Sequence, residues 1–212
     1  MSEREKIVSG IEAEGLVAIV RVPRPELMLP LAKALVAGGI RAVELTMSIP
    51  NALEAVRTID RELGDKILLG VGTVIDDDTC RAAIDAGAKY VISPITRPSL
   101  VAAAHALDRP VMLGAYTPTE AQAAHEAGSD FIKIFPADTL GPSYIKSLLA
   151  PLPPRVAVAA SDWGDDDALC TFNLLAHCGH APRAFAAADA VAQRSGRTWL
   201  WPVTVARRQP AS

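Results

Sequence analysis

The chain of 212 residues, half of them hydrophobic, is long enough to bury the core of one domain, so we expect a single domain over residues 1–212. Its net charge of -3 and its lack of a long basic run exclude an electrostatic nucleic-acid surface, so a small molecule is the expected partner. No apolar run is long enough to cross a bilayer, and the charged first residues are unlike a signal peptide, so we expect a cytoplasmic protein without membrane association.

After one N-terminal helix, strand and helix patterns alternate along the chain. Ile7, Val8 and Ile11 recur at helical spacing and predict an amphipathic helix from about Glu3 to Glu14 that plugs or flanks the fold. Continuous apolar runs predict strands at Leu16–Val22, Ala42–Met47, Ile67–Val74, Tyr90–Pro94, Pro110–Tyr116 and Phe131–Phe135. A helix is predicted after each strand, ending near Val36, Glu62, Ala86, Ala106, Ala127 and Ala150.

The order of these elements favours a (β/α)8 barrel of the TIM type. Strands that are apolar without alternation are buried on both faces, as parallel strands covered by helices are. Glycines at three helix ends, Ala37-Gly38-Gly39, Ala86-Gly87-Ala88 and Ala127-Gly128-Ser129, indicate a repeated unit. The alternative is a doubly wound open sheet, but its first strand normally precedes a Gly-rich phosphate turn, and Arg21–Pro25 is not one. We therefore expect a barrel with a short N-terminal helix and atypical last two βα units.

The least expected residue in a predicted strand is Lys133, which lies in the apolar run Phe131–Ala137. A charged ammonium group is costly to desolvate, so an enclosed lysine either pairs with a carboxylate or becomes a neutral amine, which attacks ketones. The functional interpretation is a lysine that forms a Schiff base with a carbonyl substrate. The structural alternative is a strand-end lysine whose stem passes apolar neighbours while its ammonium group reaches solvent. Both stay open at this point.

Glu44 is the second charged residue in an apolar strand. Opposite Lys133 it would transfer protons as general acid and base, and its structural alternative is a salt bridge to Lys133 or Arg21. Polar residues near the C-terminal ends of barrel strands face the active site. Thr73 and Arg21 hold such positions and are candidates to bind a substrate carboxylate, with a structural strand threonine and a solvent-facing arginine as the alternatives.

Ser93 and Phe135, near the ends of the fourth and sixth predicted strands, complete the predicted substrate-binding set. We predict no metal and no cofactor. Cys80, Cys170 and Cys178 are odd in number and lack a CxxC pattern. The run Asp165-Asp166-Asp167 is more typical of a solvated helix start than of a metal site, and His177 and His180 are expected on the surface.

Several motifs occur in one order along the chain: Arg21, Val43-Glu44-Leu45-Thr46, Gly70-Val71-Gly72-Thr73-Val74, Ser93-Pro94, Gly114 with Thr117-Pro118-Thr119-Glu120, and Phe131–Ala137. From about Gly15 to Ala159 the chain resembles the class I aldolases for 2-keto-3-deoxy-6-phosphogluconate (KDPG) and 4-hydroxy-2-oxoglutarate (KHG). The resemblance implies a (β/α)8 barrel, usually a homotrimer without metal, that cleaves a 2-keto-4-hydroxy acid to pyruvate and an aldehyde. By matching position, it implies that Lys133 forms the imine, that Glu44 shuttles protons, and that Arg21 and Thr73 hold the pyruvyl carboxylate.

The resemblance ends after Ala160. The family continues with a Pro-Thr-Gly-Gly turn whose backbone amides hold the substrate phosphate, whereas this chain reads Ser161–Asp167 and ends that stretch with three carboxylates, which would repel a phosphate. Three interpretations of the divergent segment 161–212 stay open. It is an altered seventh and eighth unit, the product of a reading-frame change, or the tail of a paralogue that lost the phosphate site. The first account predicts a helix near Ala184–Gln193 and a strand near Thr198–Val205.

The favoured function is a Schiff-base aldolase that acts on a 2-keto-3-deoxy (phospho)sugar acid or on KHG. One alternative is a catalytically impaired barrel without a phosphate site, which serves as a scaffold or acts on an unphosphorylated 2-keto acid. Another is a different lyase or isomerase on the same barrel, because a fold does not determine a function.

Overall fold

A computed structural model describes residues 1–22, 24–137, 144, 147 and 148, together with the backbone of residues 156–160 and 170–175. The described helices are α1 Glu3–Glu14, α2 Met28–Ala37, α3 Ala52–Leu63, α4 Asp77–Asp85, α5 Ser99–His105 and α6 Pro118–Glu126. The described strands are β1 Leu16–Val20, β2 Ala42–Thr46, β3 Leu68–Gly72, β4 Tyr90–Ile92, β5 Val111–Ala115, β6 Phe131–Ile134, β7 Val156–Ala160 and β8 Cys170–Leu175. The first six strands confirm the predicted ones to within two residues at each end.

Local sequence signals account for the ends of several helices. At the start of α1, the Ser2 hydroxyl accepts a hydrogen bond from the Glu5 N–H, and the Glu5 carboxylate accepts one from the Ser2 N–H, which is a capping box. Thr117 and Glu120 make the same reciprocal pair at the start of α6. Glycines with positive φ follow α2, α4 and α6 at the three predicted places, Gly39, Gly87 and Gly128. Gly15 ends α1 in the left-handed conformation as well. None of the helices in the described residues is long and apolar enough to span a membrane.

The first six strands form one curled parallel sheet in chain order. Each strand pairs with the next, from β1 beside β2 to β5 beside β6, and the pairing fixes which residues are cross-strand neighbours. Glu44 is paired with Gly70, and Gly70 in turn with Tyr90. Lys133 is paired with Gly114. The parallel α/β part of the predicted architecture is therefore confirmed.

The last two described strands close the ring in an irregular way. The backbone of β7 runs parallel to β6, whereas β8 pairs antiparallel with both β7 and β1. Only residues 161–169 separate β7 from β8, fewer than the dozen or so residues that a parallel crossover needs. The described backbone therefore does not form a regular eighth parallel unit. The helix predicted to end near Ala150 lies mostly outside the described residues. The helix predicted at Ala184–Gln193 and the strand predicted at Thr198–Val205 lie wholly outside them.

Two apolar layers cover the faces of the sheet. The outer layer packs the strands against α2 to α6 and includes Val43, Leu69, Val71 and Leu113. The inner layer joins α1 to residues near the starts of the strands, and its members are Ile7, Val8, Ile11, Val17, Ala42, Tyr90, Ile92, Met112 and Phe131. Because Val17, Ala42 and Phe131 lie at the N-terminal ends of their strands, α1 plugs that end of the interior. The opposite end of the interior, at the C-terminal ends of the strands, is not covered by α1 and is called the open end below.

Candidate active site

Lys133 and Glu44 meet inside the curled sheet. The Nζ atom of Lys133 lies 3.7 Å from Oε1 of Glu44. The two residues are only 6% and 1% exposed, respectively. The lysine side chain therefore does not reach into bulk solvent, which rules out the solvent-facing alternative in this structure. A buried ammonium group beside a buried carboxylate is an arrangement that a stable ion pair and a proton-transferring pair have in common.

Side chains alternate between the two faces along each strand, and this alternation explains why Lys133 and Glu44 both point into the interior. Ala42 and Phe131 belong to the inner layer, and side chains two residues apart in a strand point to the same face. Glu44 and Lys133 therefore occupy the next inward positions, one step closer to the open end. The residues between them, Val43 and Ile132, belong to the outer layer against the helices.

A glycine beside the pair gives the carboxylate its space. A Cβ atom on Gly72 would overlap the Cγ, Cδ and Oε1 atoms of Glu44. Gly72 follows Gly70 by two residues in β3, so both glycines face the interior. The glutamate side chain can therefore lie across β3 only because position 72 carries no side chain.

Phe135, directly after β6, lies against the lysine. The Nζ atom of Lys133 is 5.4 Å from the centroid of the Phe135 ring, within the range of a cation–π contact. The Phe135 N–H donates to the carbonyl oxygen of Ala115 at 3.0 Å, which holds this residue beside the end of β5. Of the predicted set, Lys133 is thus in contact with both Glu44 and Phe135.

Thr73 follows β3 at the open end and is partly buried. Its backbone has a φ of 64°, in the left-handed region that a β-branched residue rarely adopts. Such a conformation costs on the order of 1–3 kcal/mol and is concentrated at functional sites. Thr73 directly follows Gly72, the residue whose missing side chain accommodates Glu44, so it lies next to the candidate site along the chain.

The structure shows no hydrogen bond or ion pair from Arg21 or Ser93 to Lys133 or Glu44. Arg21, just after β1, is exposed and makes no hydrogen bond or ion pair with another described residue. Ser93, just after β4, is fully buried, and its hydroxyl accepts a hydrogen bond from the Ile95 N–H at 3.3 Å. The serine therefore shapes the turn after β4 in this structure. Both residues do follow strands at the open end, as expected from the sequence.

Tyr90 is a neighbour of the site that sequence reasoning treated only as the start of a strand. Its side chain is fully buried, and its hydroxyl has no hydrogen-bond partner among the described residues. Burial, and to a smaller extent the negative charge of Glu44, raise the pKa of Tyr90 well above its ordinary value. In the sequence, a tyrosine at the start of an apolar strand is an ordinary β-forming residue, so its own segment carries no distinct signal. Across the described ranges, no three His, Cys, Asp or Glu side chains come together as a metal site would require.

The chain is similar to known proteins over the part that builds this site. A family model described as KDPG and KHG aldolase matches residues 7–158. The 2-dehydro-3-deoxy-phosphogluconate aldolase of Treponema pallidum is 38% identical over 144 residues, which are 68% of this chain and 68% of that protein. The 2-dehydro-3-deoxy-6-phosphogalactonate aldolase of Escherichia coli K12 is 35% identical over 145 residues, which are 68% of this chain and 71% of that protein.

A solved structure agrees with the sequence matches. It is a KDPG aldolase from Legionella pneumophila with pyruvate captured at low pH as a covalent carbinolamine intermediate. It superposes with a TM-score of 0.63 and 29% identity, covering 72% of this chain and 74% of that chain. The family match ends at residue 158, close to the point where the sequence departs from the expected motif.

Proposed function

Because the chain belongs to the KDPG and KHG aldolase family, whose members are carbon–carbon lyases, we propose that it is a class I aldolase. It cleaves a 2-keto-3-deoxy (phospho)sugar acid or KHG to pyruvate and an aldehyde. The observation that carries the proposal is the buried contact of 3.7 Å between Lys133 and Glu44. An amine and a carboxyl group at this distance are the two groups that imine chemistry on a ketone requires.

The first step is the formation of a Schiff base on Lys133. A proton that moves from Nζ of Lys133 to Glu44 leaves two neutral groups, so the cost of burying two charges is removed while the amine becomes nucleophilic. The amine attacks C2 of the 2-keto acid and forms a carbinolamine. Glu44 then protonates the departing hydroxyl, water leaves, and a protonated imine remains.

The second step is cleavage of the bond between C3 and C4. The Glu44 carboxylate takes the proton of the C4 hydroxyl, the electron pair of the C3–C4 bond moves into the imine, and the aldehyde departs. The enamine that remains takes a proton from Glu44 at C3. Water then attacks the imine, and hydrolysis releases pyruvate and restores the Lys133 amine. One carboxyl group therefore serves as both base and acid in successive steps.

The substrate carboxylate is assigned to residues at the open end. We place it at the Thr73 hydroxyl, beside the glycine that accommodates Glu44, with the Arg21 guanidinium as its counter-charge. Ser93 contributes through the turn that it shapes, and Phe135 packs against the stem of the imine lysine. These roles follow from the positions of the residues at strand ends.

The broader organisation is proposed in the same terms. The chain acts as a single (β/α)8-type barrel domain over residues 1–212, with the closed ring of eight described strands as support. It works as a homotrimer in the cytoplasm. Residues 161–212 form the divergent segment, and the run Asp165–Asp167, His177 and His180 lie in it, outside the described residues.

A second candidate function is cleavage of an unphosphorylated 2-keto acid, or a scaffold with impaired catalysis. It is favoured by the end of the family match at residue 158 and by the carboxylates at Asp165–Asp167 where the family carries a phosphate-binding turn. Comparing cleavage of phosphorylated and unphosphorylated 2-keto-3-deoxy acids separates these functions. Turnover of the phosphorylated acid favours the first, turnover of the other acid alone favours the second, and pyruvate trapping without any turnover indicates the scaffold.

Borohydride trapping of pyruvate tests the proposed chemistry. We expect a covalent adduct on the wild-type protein, lost in Lys133→Ala and kept in Lys66→Ala. Lys66 is the matched control because it is an exposed lysine at the end of a surface turn. A wild-type protein that stays unmodified, or an adduct that survives Lys133→Ala, would refute the Schiff-base lysine.

A further inference from the structure

Gly70 and Gly72 leave a bare strip along the inner face of β3, here called the glycine strip. A Cβ atom on Gly70 would overlap the ring of Tyr90, and one on Gly72 would overlap the carboxyl group of Glu44. The two side chains come from opposite sides, Glu44 from β2 and Tyr90 from β4. Same-face positions in a strand are about 7 Å apart, so the phenol and the carboxyl group lie next to each other over the strip.

The Tyr90 hydroxyl is an unexplained polar group in this interior. The side chain is 0% exposed, and its oxygen has no hydrogen-bond partner among the described residues. The residues packed around the ring are apolar and come from α1 and the starts of the strands. A buried donor without an acceptor is costly, so it requires an explanation beyond the filling of space.

The ionisable groups near Tyr90 limit the choice of a hydrogen-bond acceptor for its hydroxyl. Among the described residues, the buried ionisable side chains are Glu44, Lys133, Tyr90 and Cys80. Cys80 belongs to the outer layer between strands and helices, on the other face of the sheet. Glu44 is therefore the charged group that the glycine strip brings near the phenol, and its carboxylate also contacts Lys133.

We propose that Tyr90 is a positioning residue for Glu44, a role that rests on the proposed aldolase function. The phenol O–H donates towards the Glu44 carboxylate, directly or through one water molecule, and holds it in place for proton transfer. This donor matters when Lys133 is a neutral amine or an imine, because the carboxylate then lacks the original ammonium group. Burial and the charge of Glu44 keep the pKa of Tyr90 high, so the phenol stays protonated and remains a donor.

The test measures imine formation on Lys133 and proton transfer by Glu44 separately. Tyr90→Phe keeps the ring over Gly70 and removes only the hydroxyl. Tyr116→Phe is the matched control, because Tyr116 is exposed on the loop after β5. Two readouts are measured on the full chain. One is the extent of borohydride trapping of pyruvate on Lys133 after the imine has reached equilibrium, which does not depend on how fast Glu44 transfers protons. The other is the rate at which the pyruvate methyl hydrogens exchange with deuterium in D2O. Exchange requires a base that removes a proton from the imine, so it reports on Glu44.

We expect Tyr90→Phe to be trapped to the wild-type extent but to exchange roughly tenfold or more slowly, as loss of one oriented donor can cause. Its thermal unfolding midpoint should not fall, and Tyr116→Phe should match the wild type in both readouts. If Tyr90→Phe does not fold, Gly70→Ala moves the ring off the strip and should slow exchange in the same way.

Three outcomes count against the proposal. Exchange by trapped Tyr90→Phe within about twofold of the wild-type rate overturns the positioning role alone. Loss of trapping together with exchange indicates a structural role and overturns it as well. A wild-type protein that is not trapped refutes the proposed function, and the role of Tyr90 is refuted with it.

Discussion

The carboxyl group of Glu44 occupies the space that a side chain on Gly72 would fill. The two residues are on neighbouring strands, and Gly72 is paired with Thr46, two residues beyond the glutamate. Glu44 therefore leans along the strand direction, across β3 and towards the open end. The position of the Glu44 carboxylate therefore depends on Gly72, which has no side chain that could take part in a reaction.

Gly72→Ala is expected to abolish most of the activity. The added methyl group forces the Glu44 carboxylate aside, and a misplacement of about 1 Å can cost a hundredfold in rate. Steady-state kinetics of pyruvate formation measure the loss. Gly64→Ala is the matched control, because a Cβ there meets nothing within 4 Å although its φ of 49° is strained for alanine. Gly64→Ala should lose some stability and keep kcat, and a fully active Gly72→Ala would contradict the steric argument.

Removing one member of the buried pair should destabilise the protein, and removing both should destabilise it much less. Lys133→Met leaves the Glu44 charge in a buried site without the ammonium group, which costs about 3–5 kcal/mol when such a pair is broken. Lys133→Met with Glu44→Leu replaces both charges by apolar groups and should recover most of that loss. Urea unfolding measures the free energy of each variant, and neither should form pyruvate. Equal stability of the single and double variants would show that the two charges are not coupled.

Thr73 should affect substrate binding through its hydroxyl and stability through its backbone. Thr73→Gly removes the hydroxyl, so KM is expected to rise about tenfold with a smaller change in kcat. This is the effect of losing a group that binds the substrate and the transition state equally well. Relief of about 1–3 kcal/mol of strain offsets the entropic cost of glycine, about 0.5–1 kcal/mol, so the free energy of unfolding should not fall. Thr73→Ser keeps the hydroxyl and should keep KM. A KM for Thr73→Gly equal to that of the wild type would remove Thr73 from the carboxylate site.

Cys80 should make the protein less stable as the pH rises above 9. Burial raises the pKa of this thiol from 9.0 to about 11 in the folded protein. Between these values the unfolded chain loses the thiol proton while the folded protein retains it, so the free energy of unfolding falls with pH. The loss approaches about 2–3 kcal/mol by pH 11, at 1.36 kcal/mol for each pKa unit. Urea unfolding from pH 8 to 10.5 measures it, and Cys80→Ala should show a flatter slope than the wild type.

The charged members of the site were predictable because their signals are local. Lys133 and Glu44 each interrupt an apolar strand, and a charge in a buried strand stands out without knowledge of its partner. Their meeting was an expectation from the barrel, and the structure brings Nζ of Lys133 to 3.7 Å from Oε1 of Glu44. The roles assigned to Arg21, Thr73 and Ser93 remain predictions, since the structure places them at strand ends without showing what they bind.

The role of Tyr90 was not predictable from its own segment. A tyrosine that begins an apolar strand is an ordinary β-forming residue. The other residues of this strand are apolar, so they give no indication of a charged partner. Its neighbours over the glycine strip, Gly70 and Glu44, are distant in sequence. A register shift of one residue in β3 would turn both glycines outward, so this packing exists only in the paired sheet.

The sequence by itself determined the order of six strands and their helices, the caps, and the two charges in apolar strands. These depend on side-chain periodicity and on residues within a few positions of each other. Only the tertiary structure decided that α1 plugs the interior, that Glu44 lies over Gly72 beside the Tyr90 phenol, and that β8 runs antiparallel. Those features arise from strand register and from packing between distant segments, which no short stretch of sequence contains.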